Sequence, residues 1–390
     1  MAIVDKHIPR ITVTLMLTHR CNLNCIYCYE KNKSSNKVMT IDVMKQIVSS
    51  SFEKYKNNFD EIVFDFMGGE PLLEFDAIKE LAEWTWNQKW DMPYLFYATT
   101  NGTLLDDKKK DWFIKYKERF VLGLSYDGNP HMQDTNRTKS STSIDLNFFK
   151  NTWPFQSIKM TISPETISSL AEGIIYLHEQ GINGTFANLA FGVSWEEKHL
   201  AEYNKQLKQL VSFYSENNGI QRVSLLNIHL PSFFYPQSNR KYCGAGVGMV
   251  FHDFDGKSYP CHLLSPVNLQ QKELDQIKNI DYCNADDFAP QECKNCILFN
   301  LCPSCCGMNY LYLKSFQKRF PFMCRAIKNQ IAANMLLQYK LLINKKNLTI
   351  EDKVGGKLTG KAIILVENQQ ITGESIRKLK QFKILLQCVI

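Results

Sequence analysis

The chain has 390 residues, a formal net charge of +7 at pH 7 and 44% hydrophobic residues, a composition typical of an ordinary globular protein. No apolar run approaches the length of a membrane span and the N-terminus lacks a signal-peptide pattern, so we expect a cytoplasmic protein with no membrane partner. In that reducing compartment the 13 cysteines suit metal binding better than disulfides. Basic residues concentrate after Lys340, where a solvated helix face is a commoner explanation than an acidic partner, and we expect no nucleic-acid partner.

Residues 11–230 alternate between short segments rich in β-branched or aromatic residues and longer amphipathic segments. The predicted strands are Ile11–Leu17, Glu61–Phe66, Tyr94–Thr99, Phe120–Tyr126, Ser157–Ser163, Thr185–Gly192 and Arg222–Leu230. The predicted helices between them are Ile41–Tyr55, Phe75–Gln88, Asp106–Lys117, Glu165–Gln180 and Glu197–Asn217. Repeated strand–helix units indicate an α/β fold with a parallel sheet covered by helices, either a barrel or a doubly wound sheet. In a barrel, the loops that follow the strands meet at one rim, where functional residues collect.

The loop after the first predicted strand carries Cys21, Cys25 and Cys28 in a Cys-x3-Cys-x2-Cys array. Three thiolates on one short loop cannot all pair as disulfides, and they are one ligand short of a closed tetrahedral zinc site. They suit a four-iron cluster that leaves one iron open, because soft thiolates favour iron–sulfur clusters. The alternatives are a partial zinc knuckle and incidental cysteines.

Glycine-rich or polar residues also follow the next three predicted strands. They are Gly68-Gly69-Glu70-Pro71 after the second, Thr100-Asn101-Gly102-Thr103 after the third, and Ser125-Tyr126-Asp127-Gly128, with Arg137 beyond it, after the fourth. Two adjacent glycines let the backbone approach a ligand closely, and Glu70 can accept hydrogen bonds or fix the loop. Each segment alone is a turn, but polar residues at four successive strand ends on one rim are better explained by a shared ligand.

These motifs resemble those of the radical S-adenosylmethionine (SAM) enzymes, whose TIM-like partial barrel usually has six βα units. The resemblance implies that Cys21, Cys25 and Cys28 hold a 4Fe–4S cluster whose open iron is chelated by SAM. It also implies SAM contacts from Tyr27 near the adenine, from Gly68, Gly69 and Glu70 at the amino group, from Asn101, Ser125 and Asp127 near the ribose, and from Arg137 toward the carboxylate.

A second block of cysteines lies in the C-terminal third of the chain. Its order is Cys243, then Gly256 and Cys261, then Cys293-x2-Cys296-x5-Cys302-x3-Cys306, and finally Cys324. A zinc ribbon would explain four closely spaced cysteines and leave the other three without a role. The full order resembles the seven-cysteine SPASM extension of radical SAM enzymes, a small cysteine-rich domain that holds two auxiliary 4Fe–4S clusters.

The SPASM resemblance implies a ligand set for each auxiliary cluster. Cys243, Cys261 and Cys306 would hold the first, and Cys293, Cys296, Cys302 and Cys324 the second. The first set is one ligand short, and either Cys283 or Cys305 completes it or one iron stays open to substrate. The implied cofactors are therefore three 4Fe–4S clusters and SAM.

The motifs predict three parts of the chain. Residues 1–232 form the partial barrel, residues 233–325 the SPASM domain, and residues 326–390 a C-terminal helix and basic tail. Within this last part we predict a helix over Ala326–Asn344, a strand over Lys361–Glu367 and a helix over Ser375–Gln387.

The resemblance implies radical chemistry. The reduced first cluster would give an electron to SAM, which would cleave to methionine and a 5′-deoxyadenosyl radical that removes a hydrogen atom from the substrate. SPASM enzymes mostly act on peptides or proteins, so the favoured function is maturation of a ribosomally made precursor peptide by a thioether, carbon–carbon or similar side-chain crosslink. The implied partners are that peptide, an electron donor such as flavodoxin or ferredoxin, and a separate leader-recognition protein.

Two other functions stay open from the sequence. One is an anaerobic sulfatase-maturating enzyme, which makes formylglycine from serine or cysteine. In that branch an aspartate follows the second SPASM cysteine, whereas this chain has His262, which is either a candidate base or a histidine packed beside a cluster. The other is a non-catalytic iron–sulfur or zinc protein, which would have no reason to keep the polar strand ends.

Overall fold

The computed structural model describes residues 10–30, 33, 35–217, 219–228, 243–294, 296, 298–299 and 302–343. The described residues group into two compact units. The first contains the residues up to 126, Arg137–Gln156 and Gly244–Cys283, and the second contains Asp127–Asn136, Ser157–Cys243 and the residues from 284 onward.

The regular elements of the described residues are eight strands and eleven α-helices. The strands are β1 (Arg10–Thr18), β2 (Glu61–Gly68), β3 (Tyr94–Thr100), β4 (Phe120–Leu124), β5 (Ile158–Ile162), β6 (Thr185–Leu189), β7 (Met249–His252) and β8 (Ser258–Tyr259). The helices are α1 (Ile41–Tyr55), α2 (Phe75–Trp86), α3 (Asp107–Lys115), α4 (Pro130–Asn136), α5 (Leu146–Thr152), α6 (Leu170–Glu179), α7 (Glu197–Glu216), α8 (Gln271–Ile277), α9 (Gln291–Lys294), α10 (Cys306–Leu313) and α11 (Pro321–Ile343).

The first unit is built on a sheet of six strands in the order β4-β3-β2-β1-β7-β8. All its neighbouring strands are parallel except β7 and β8, which are antiparallel. β1 pairs with β2 on one side and β7 on the other, and Val13, Leu15 and Leu17 on it are fully buried, as expected for the inner strand of a covered parallel sheet. The polar ends of β1, β2 and β3 therefore lie at one edge of this sheet.

The second unit contains the parallel pair β5 and β6 and the two longest helices. Its core contains Leu170 and Ile174 of α6, Leu210 of α7 and Leu337 of α11. Polar contacts reinforce the packing, since Asn334 Nδ2 of α11 donates to the backbone oxygen of Leu225 at 3.3 Å. Helix α11 includes most of the predicted helix at 326–344 and begins five residues earlier, at Pro321, where proline is favoured in a first helical turn.

The predicted strand Arg222–Leu230 is wrong over its described part. Ser224–Leu226 forms a 3-10 turn, and the Ser224 hydroxyl donates to the backbone oxygen of Ala187 at 3.3 Å and accepts from its N–H at 2.9 Å. A side chain thus replaces the backbone ladder that a strand would have formed on β6. The apolar residues that suggested a strand, Leu225 and Leu226, are buried in the core of the second unit.

The predicted parallel α/β architecture is confirmed, and the first six of the seven predicted strands agree with β1–β6. The partial barrel and the boundaries near 232 and 325 stay predictions, because the described strands form one six-stranded and one two-stranded sheet. Strands β7 and β8 were not predicted. The predicted strand at 361–367 and helix at 375–387 lie outside the described residues, and no described helix is long and apolar enough to cross a membrane.

Candidate metal centre

The cysteine loop, defined here as residues 19–30, begins directly after β1. Its three thiols, on Cys21, Cys25 and Cys28, are partly buried. The backbone N–H of Cys28 donates to the oxygen of Cys25 at 3.1 Å, and the N–H of Leu23 donates to the Cys21 sulfur at 3.5 Å. A backbone donor aimed at a cysteine sulfur stabilises the thiolate form, which is the form that binds iron.

Burial and nearby cations act in opposite directions on these thiols. Burial raises the pKa of the Cys21 and Cys25 thiols, whereas the positive charge of Lys33 lowers the pKa of both and that of Arg137 lowers the pKa of Cys25. Lys33 also donates to the backbone oxygen of Leu23 at 2.9 Å, so its charge is held against the loop. Three soft sulfur donors with two cations beside them fit an anionic iron–sulfur cluster.

Two glycines let the end of β2 pack directly on the start of the cysteine loop. A Cβ atom on Gly68 would lie 2.8 Å from the backbone oxygen of Thr18, and one on Gly69 would lie 2.4 Å from the backbone oxygens of both His19 and Arg20. The N–H of Gly69 donates to the Thr18 oxygen at 2.8 Å. Close backbone contact is therefore the physical reason for glycine here, independently of any ligand.

Glu70 links three segments through hydrogen bonds. Its side chain, in a residue that is 1% exposed, accepts from the Leu72 N–H at 3.1 Å, the Thr100 hydroxyl at 2.7 Å and the Asn101 N–H at 2.8 Å. Its own N–H donates to the Arg20 oxygen at 2.8 Å. Burial raises the pKa of Glu70 to about 7, although the three donors act to lower it. The carboxyl group thus joins the ends of β2 and β3, and its backbone holds the cysteine loop.

A second set of polar contacts joins the loop to the end of β3. Asn101 Nδ2 donates to Asn22 Oδ1 at 2.9 Å, and Asn22 Nδ2 donates to the Thr103 hydroxyl at 2.7 Å. That hydroxyl donates to Asn101 Oδ1 at 2.7 Å, which closes the ring. Gly102 adopts a φ of +81°, which permits the turn that brings Asn101 and Thr103 together.

The predicted SAM contacts Tyr27 and Arg137 also lie at the loop. The Arg137 guanidinium is 5.5 Å from the centre of the Tyr27 ring, a cation–π distance, and Arg137 is largely buried. The following residue, Thr138, accepts a hydrogen bond at 3.0 Å from the N–H of Asn24. Arg137 and Thr138 therefore each contact the cysteine loop, at Tyr27 and Asn24 respectively.

Asp127 and Ser125 have structural partners of their own. Asp127 is completely buried in the second unit, where its carboxylate accepts from the Thr161 N–H at 2.8 Å and from Asn136 Nδ2 at 3.1 Å. Asn136 in turn accepts from the Ser163 hydroxyl at 2.8 Å. The N–H of Ser125, in the first unit, donates to the Thr100 oxygen at 2.9 Å. Ribose contacts from Asp127 and Ser125 stay predictions. The hydrogen bonds that the Asp127 carboxylate accepts explain an aspartate at this position on structural grounds alone.

His262 lies beside the residue that follows the last loop cysteine. Its ring centre is 5.1 Å from that of Tyr29 and 6.4 Å from that of Phe251. The charges of Cys28 and Cys261 both act on the buried Tyr29 hydroxyl and, with burial as the main cause, raise its pKa. The first unit therefore brings the cysteine loop near Cys261 and His262, and the role of His262 as a base stays a prediction.

Three residues at the loop, His19, Glu30 and Lys33, were not predicted from the sequence. His19 Nδ1 lies 2.9 Å from Glu30 Oε2, and both side chains are buried, so one pair connects the two ends of the cysteine loop. Lys33 lies just beyond the loop and donates to the Leu23 oxygen. In the sequence, only the positions of these residues next to the cysteine array could have indicated a role, because pairing across the loop depends on how the loop folds.

The cysteines of the second block other than Cys261 lie in the second unit, where they form two groups. Cys243 and Cys306 have sulfurs 3.7 Å apart, and the pKa of the Cys305 thiol is raised mainly by burial, with a smaller contribution from the charge of Cys243. In the other group, burial raises the pKa of Cys302 to about 12, with smaller contributions from the remaining members, whereas Arg319 lowers it. Those members are Cys293, Cys296 and Cys324.

Two candidate ligands of the first auxiliary cluster lie in the first unit. Cys261 is buried, whereas Cys283 is exposed. Among the described residues, no three His, Cys, Asp or Glu side chains are arranged to hold a single metal ion. A four-iron cluster binds each thiolate through a different iron, so its ligands are spaced more widely than those of one ion.

Gly69→Ala should distort the cysteine loop, because the new Cβ would meet two backbone oxygens that cannot move aside independently. We expect a loss of about 2 kcal/mol or more of stability, as for other overpacked sites, measured as a lower anaerobic unfolding temperature. Gly248→Ala is the matched control, since its Cβ would have only one neighbour, the Arg10 oxygen at 3.6 Å. Equal unfolding temperatures for the two variants would contradict the close-contact interpretation.

Glu70 should make a pH-dependent contribution to stability. Because its pKa is raised from 4.5 to about 7 on folding, its contribution is largest below about pH 4.5 and is lost as pH rises through about 7. The stability advantage of the parent over Glu70→Gln should therefore shrink by up to about 3 kcal/mol between pH 4.5 and 8. Unfolding temperatures of both proteins across this range measure it. A constant difference would show that folding does not raise the pKa of Glu70 within this range.

The chain is similar in sequence to a known iron–sulfur domain and to several known proteins. Residues 10–143 match the 4Fe-4S single cluster domain. An uncharacterised protein of Methanocaldococcus jannaschii is 31% identical over 267 residues, which is 64% of this chain and 84% of that protein. The cysteine-type anaerobic sulfatase-maturating enzyme of Clostridium perfringens strain 13 is 27% identical over 361 residues, 79% of this chain and 96% of the relative. The radical SAM cyclopropyl synthase TigE of Paramaledivibacter caminithermalis is 20% identical over 363 residues, 86% of this chain and 75% of TigE.

Solved structures agree with the fold. Native anSMEcpe, solved with bound AdoMet and Cp18Cys peptide, superposes with a TM-score of 0.64 and 20% identity. The match spans 86% of this chain and the full length of the anSMEcpe chain. Streptococcus suis SuiB bound to precursor peptide SuiA has a TM-score of 0.53 and 16% identity and covers 80% of this chain and 76% of its own. Together with the cysteine loop and the glycine-glutamate turn that holds it, the matching domain family and the sequence relatives show that the chain belongs to the radical SAM enzymes.

Proposed function

We propose that this radical SAM enzyme matures a ribosomally made precursor peptide by installing a thioether, carbon–carbon or similar side-chain crosslink. The observation that carries the proposal is the cysteine loop fixed to the ends of β2 and β3 by Gly69 and Glu70, in a chain several of whose relatives are named for, or solved with, peptide or protein substrates. SuiB is solved with precursor peptide SuiA, another relative is a subtilosin biosynthesis protein, and anSMEcpe is solved with AdoMet and the Cp18Cys peptide.

The residues of the first unit would divide the work at the first cluster. Cys21, Cys25 and Cys28 would hold the 4Fe–4S cluster, and the cluster and SAM, when bound, would supply a carbon radical able to remove a hydrogen atom from the substrate. Lys33 and Arg137 would offset the negative charge of the thiolates. Tyr27, Gly68, Gly69, Glu70, Asn101, Ser125, Asp127 and Arg137 would form the SAM site.

Glu70 has an additional task in this proposal. All three of its accepted hydrogen bonds come from the protein, so its side chain fixes the ends of β2 and β3 before SAM arrives, while its backbone N–H holds the cysteine loop. A carboxylate has about four acceptor sites, so one remains for the SAM amino group. Preorganisation of this kind lowers the cost of binding.

The second cysteine block would hold two auxiliary 4Fe–4S clusters, one on Cys293, Cys296, Cys302 and Cys324 and the other on Cys243, Cys261 and Cys306. For the missing fourth ligand of the cluster on Cys243, Cys261 and Cys306, Cys305 is favoured over Cys283. The Cys305 thiol is partly buried, accepts from the Met308 N–H at 3.5 Å and interacts with Cys243, whereas Cys283 is exposed. These clusters would accept the second electron that a crosslink or desaturation must release.

Sulfatase maturation is the alternative, and a specific observation favours it. The Clostridium perfringens sulfatase-maturating enzyme aligns with 79% of this chain and with 96% of its own length. His262 stands where that branch has an aspartate base, which favours the peptide-crosslinking reaction. In either case we propose a cytoplasmic enzyme that receives electrons from a flavodoxin or ferredoxin, with a separate protein for leader recognition in the crosslinking case and His262 as a candidate base.

Iron stoichiometry tests the cofactor assignment. After anaerobic reconstitution we expect about twelve irons per chain, and about four fewer in a Cys21→Ala, Cys25→Ala, Cys28→Ala triple variant. The triple variant should also form no 5′-deoxyadenosine from SAM and dithionite, whereas a Cys283→Ala control should keep both the iron and the activity. Zinc without iron in the parent would refute the assignment.

Substrate choice tests the function itself. We expect the enzyme to lower the mass of a precursor peptide encoded next to it by two hydrogen atoms per crosslink, one taken by the 5′-deoxyadenosyl radical and one lost as a proton and an electron. One 5′-deoxyadenosine should form per crosslink, as measured by mass spectrometry and chromatography. A sulfatase-derived peptide with a central cysteine or serine is the competing substrate. Formylglycine in that peptide, with no change in the neighbouring precursor, would favour sulfatase maturation instead.

A further inference from the structure

The turn that follows Arg137 has an unusual backbone. Thr138 has a φ of +56° and Lys139 a φ of +52°, and within the described ranges the only other non-glycine residue with a positive φ is Lys314. Two consecutive left-handed residues form a turn that usually contains asparagine or glycine. For β-branched threonine a positive φ is an outlier, so this backbone is strained.

Side-chain packing does not explain the strain, because Thr138 and Lys139 are both exposed. The turn does, however, direct two consecutive residues at the cysteine loop. The Thr138 hydroxyl oxygen accepts from the N–H of Asn24, next to Cys25 in the chain, at 3.0 Å, and the Arg137 guanidinium lies over the ring of Tyr27. Asn24 and Tyr27 flank Cys25 on both sides.

We propose that the turn at Arg137–Lys139 is a clamp that holds the cysteine loop in its cluster-binding conformation, with Thr138 as a positioning residue that acts through Asn24. The proposal rests on the assignment of the first cluster to Cys21, Cys25 and Cys28. Strained backbones persist where the surrounding structure determines them, and here the surrounding structure is the loop. Without the Thr138 oxygen, the stretch between Cys21 and Cys25 would exchange its backbone partner for water.

The decisive variant is Thr138→Gly, which removes the oxygen but suits a positive φ, so the strain cannot impair its folding. We expect the SAM-responsive cluster of the full, reconstituted enzyme to lose iron to a chelator roughly two- to tenfold faster, the effect of one hydrogen bond. The change that SAM induces in the electron paramagnetic resonance (EPR) spectrum of the reduced cluster should weaken in parallel. Thr138→Ser keeps the hydroxyl and should restore both measurements to the parental values.

Lys139→Gly is the matched control, because it relieves the neighbouring strain without touching the hydrogen bond, and it should behave as the parent. Parental iron loss and a parental EPR response in Thr138→Gly would overturn the proposal. Equal losses in Thr138→Gly and Lys139→Gly would also overturn it, since turn flexibility would then be the cause, as would failure of Thr138→Ser to restore the parental values.

A separate measurement distinguishes failure of the clamp from failure of the cluster assignment. Cys25→Ala should abolish the SAM-induced EPR change altogether. If that change persists in Cys25→Ala, the proposed assignment of the first cluster fails, whatever the Thr138 variants show. If it disappears while Thr138→Gly behaves as the parent, only the clamp fails.

Discussion

Close backbone contact between the end of β2 and the start of the cysteine loop is the constraint on which the site depends. Three thiols can share one cluster only if the loop that carries them keeps a fixed shape. The N–H groups of Gly69 and Glu70 donate to the oxygens of Thr18 and Arg20, and the space for this contact exists because Gly69 has no side chain. The polar contacts of Glu70, Asn22 and Asn101 then extend the attachment to β3.

Burial gives this attachment both its strength and its electrostatic cost. A carboxyl group that is 1% exposed loses its hydration, and three hydrogen bonds only partly compensate, so its pKa is raised to about 7. The loop thiols meet the same penalty, since burial raises the pKa of Cys21 and Cys25. Lys33 opposes this penalty at both thiols and Arg137 opposes it at Cys25, so the two cations favour the thiolate forms that bind iron.

The sequence was sufficient for the features that local pattern controls. Alternating apolar residues placed β1 and β2, and the spacing of Cys21, Cys25 and Cys28 predicted the iron–sulfur chemistry. Strands β7 and β8 were missed because they have four and two residues, too few for a periodic pattern. Ser224 formed a turn where a strand was predicted because its hydroxyl bonds the β6 backbone. The His19–Glu30 pair and the Thr138 contact depend on chain folding that no local pattern encodes.

The position of β1 between β2 and β7 has a consequence for biosynthesis. Thr12 to Leu15 pair with residues 249–252, so one edge of the strand that leads into the cysteine loop has no partner until more than half of the chain has left the ribosome. An unpaired strand edge rich in apolar residues invites pairing with other chains. Chains truncated before β7 should therefore aggregate.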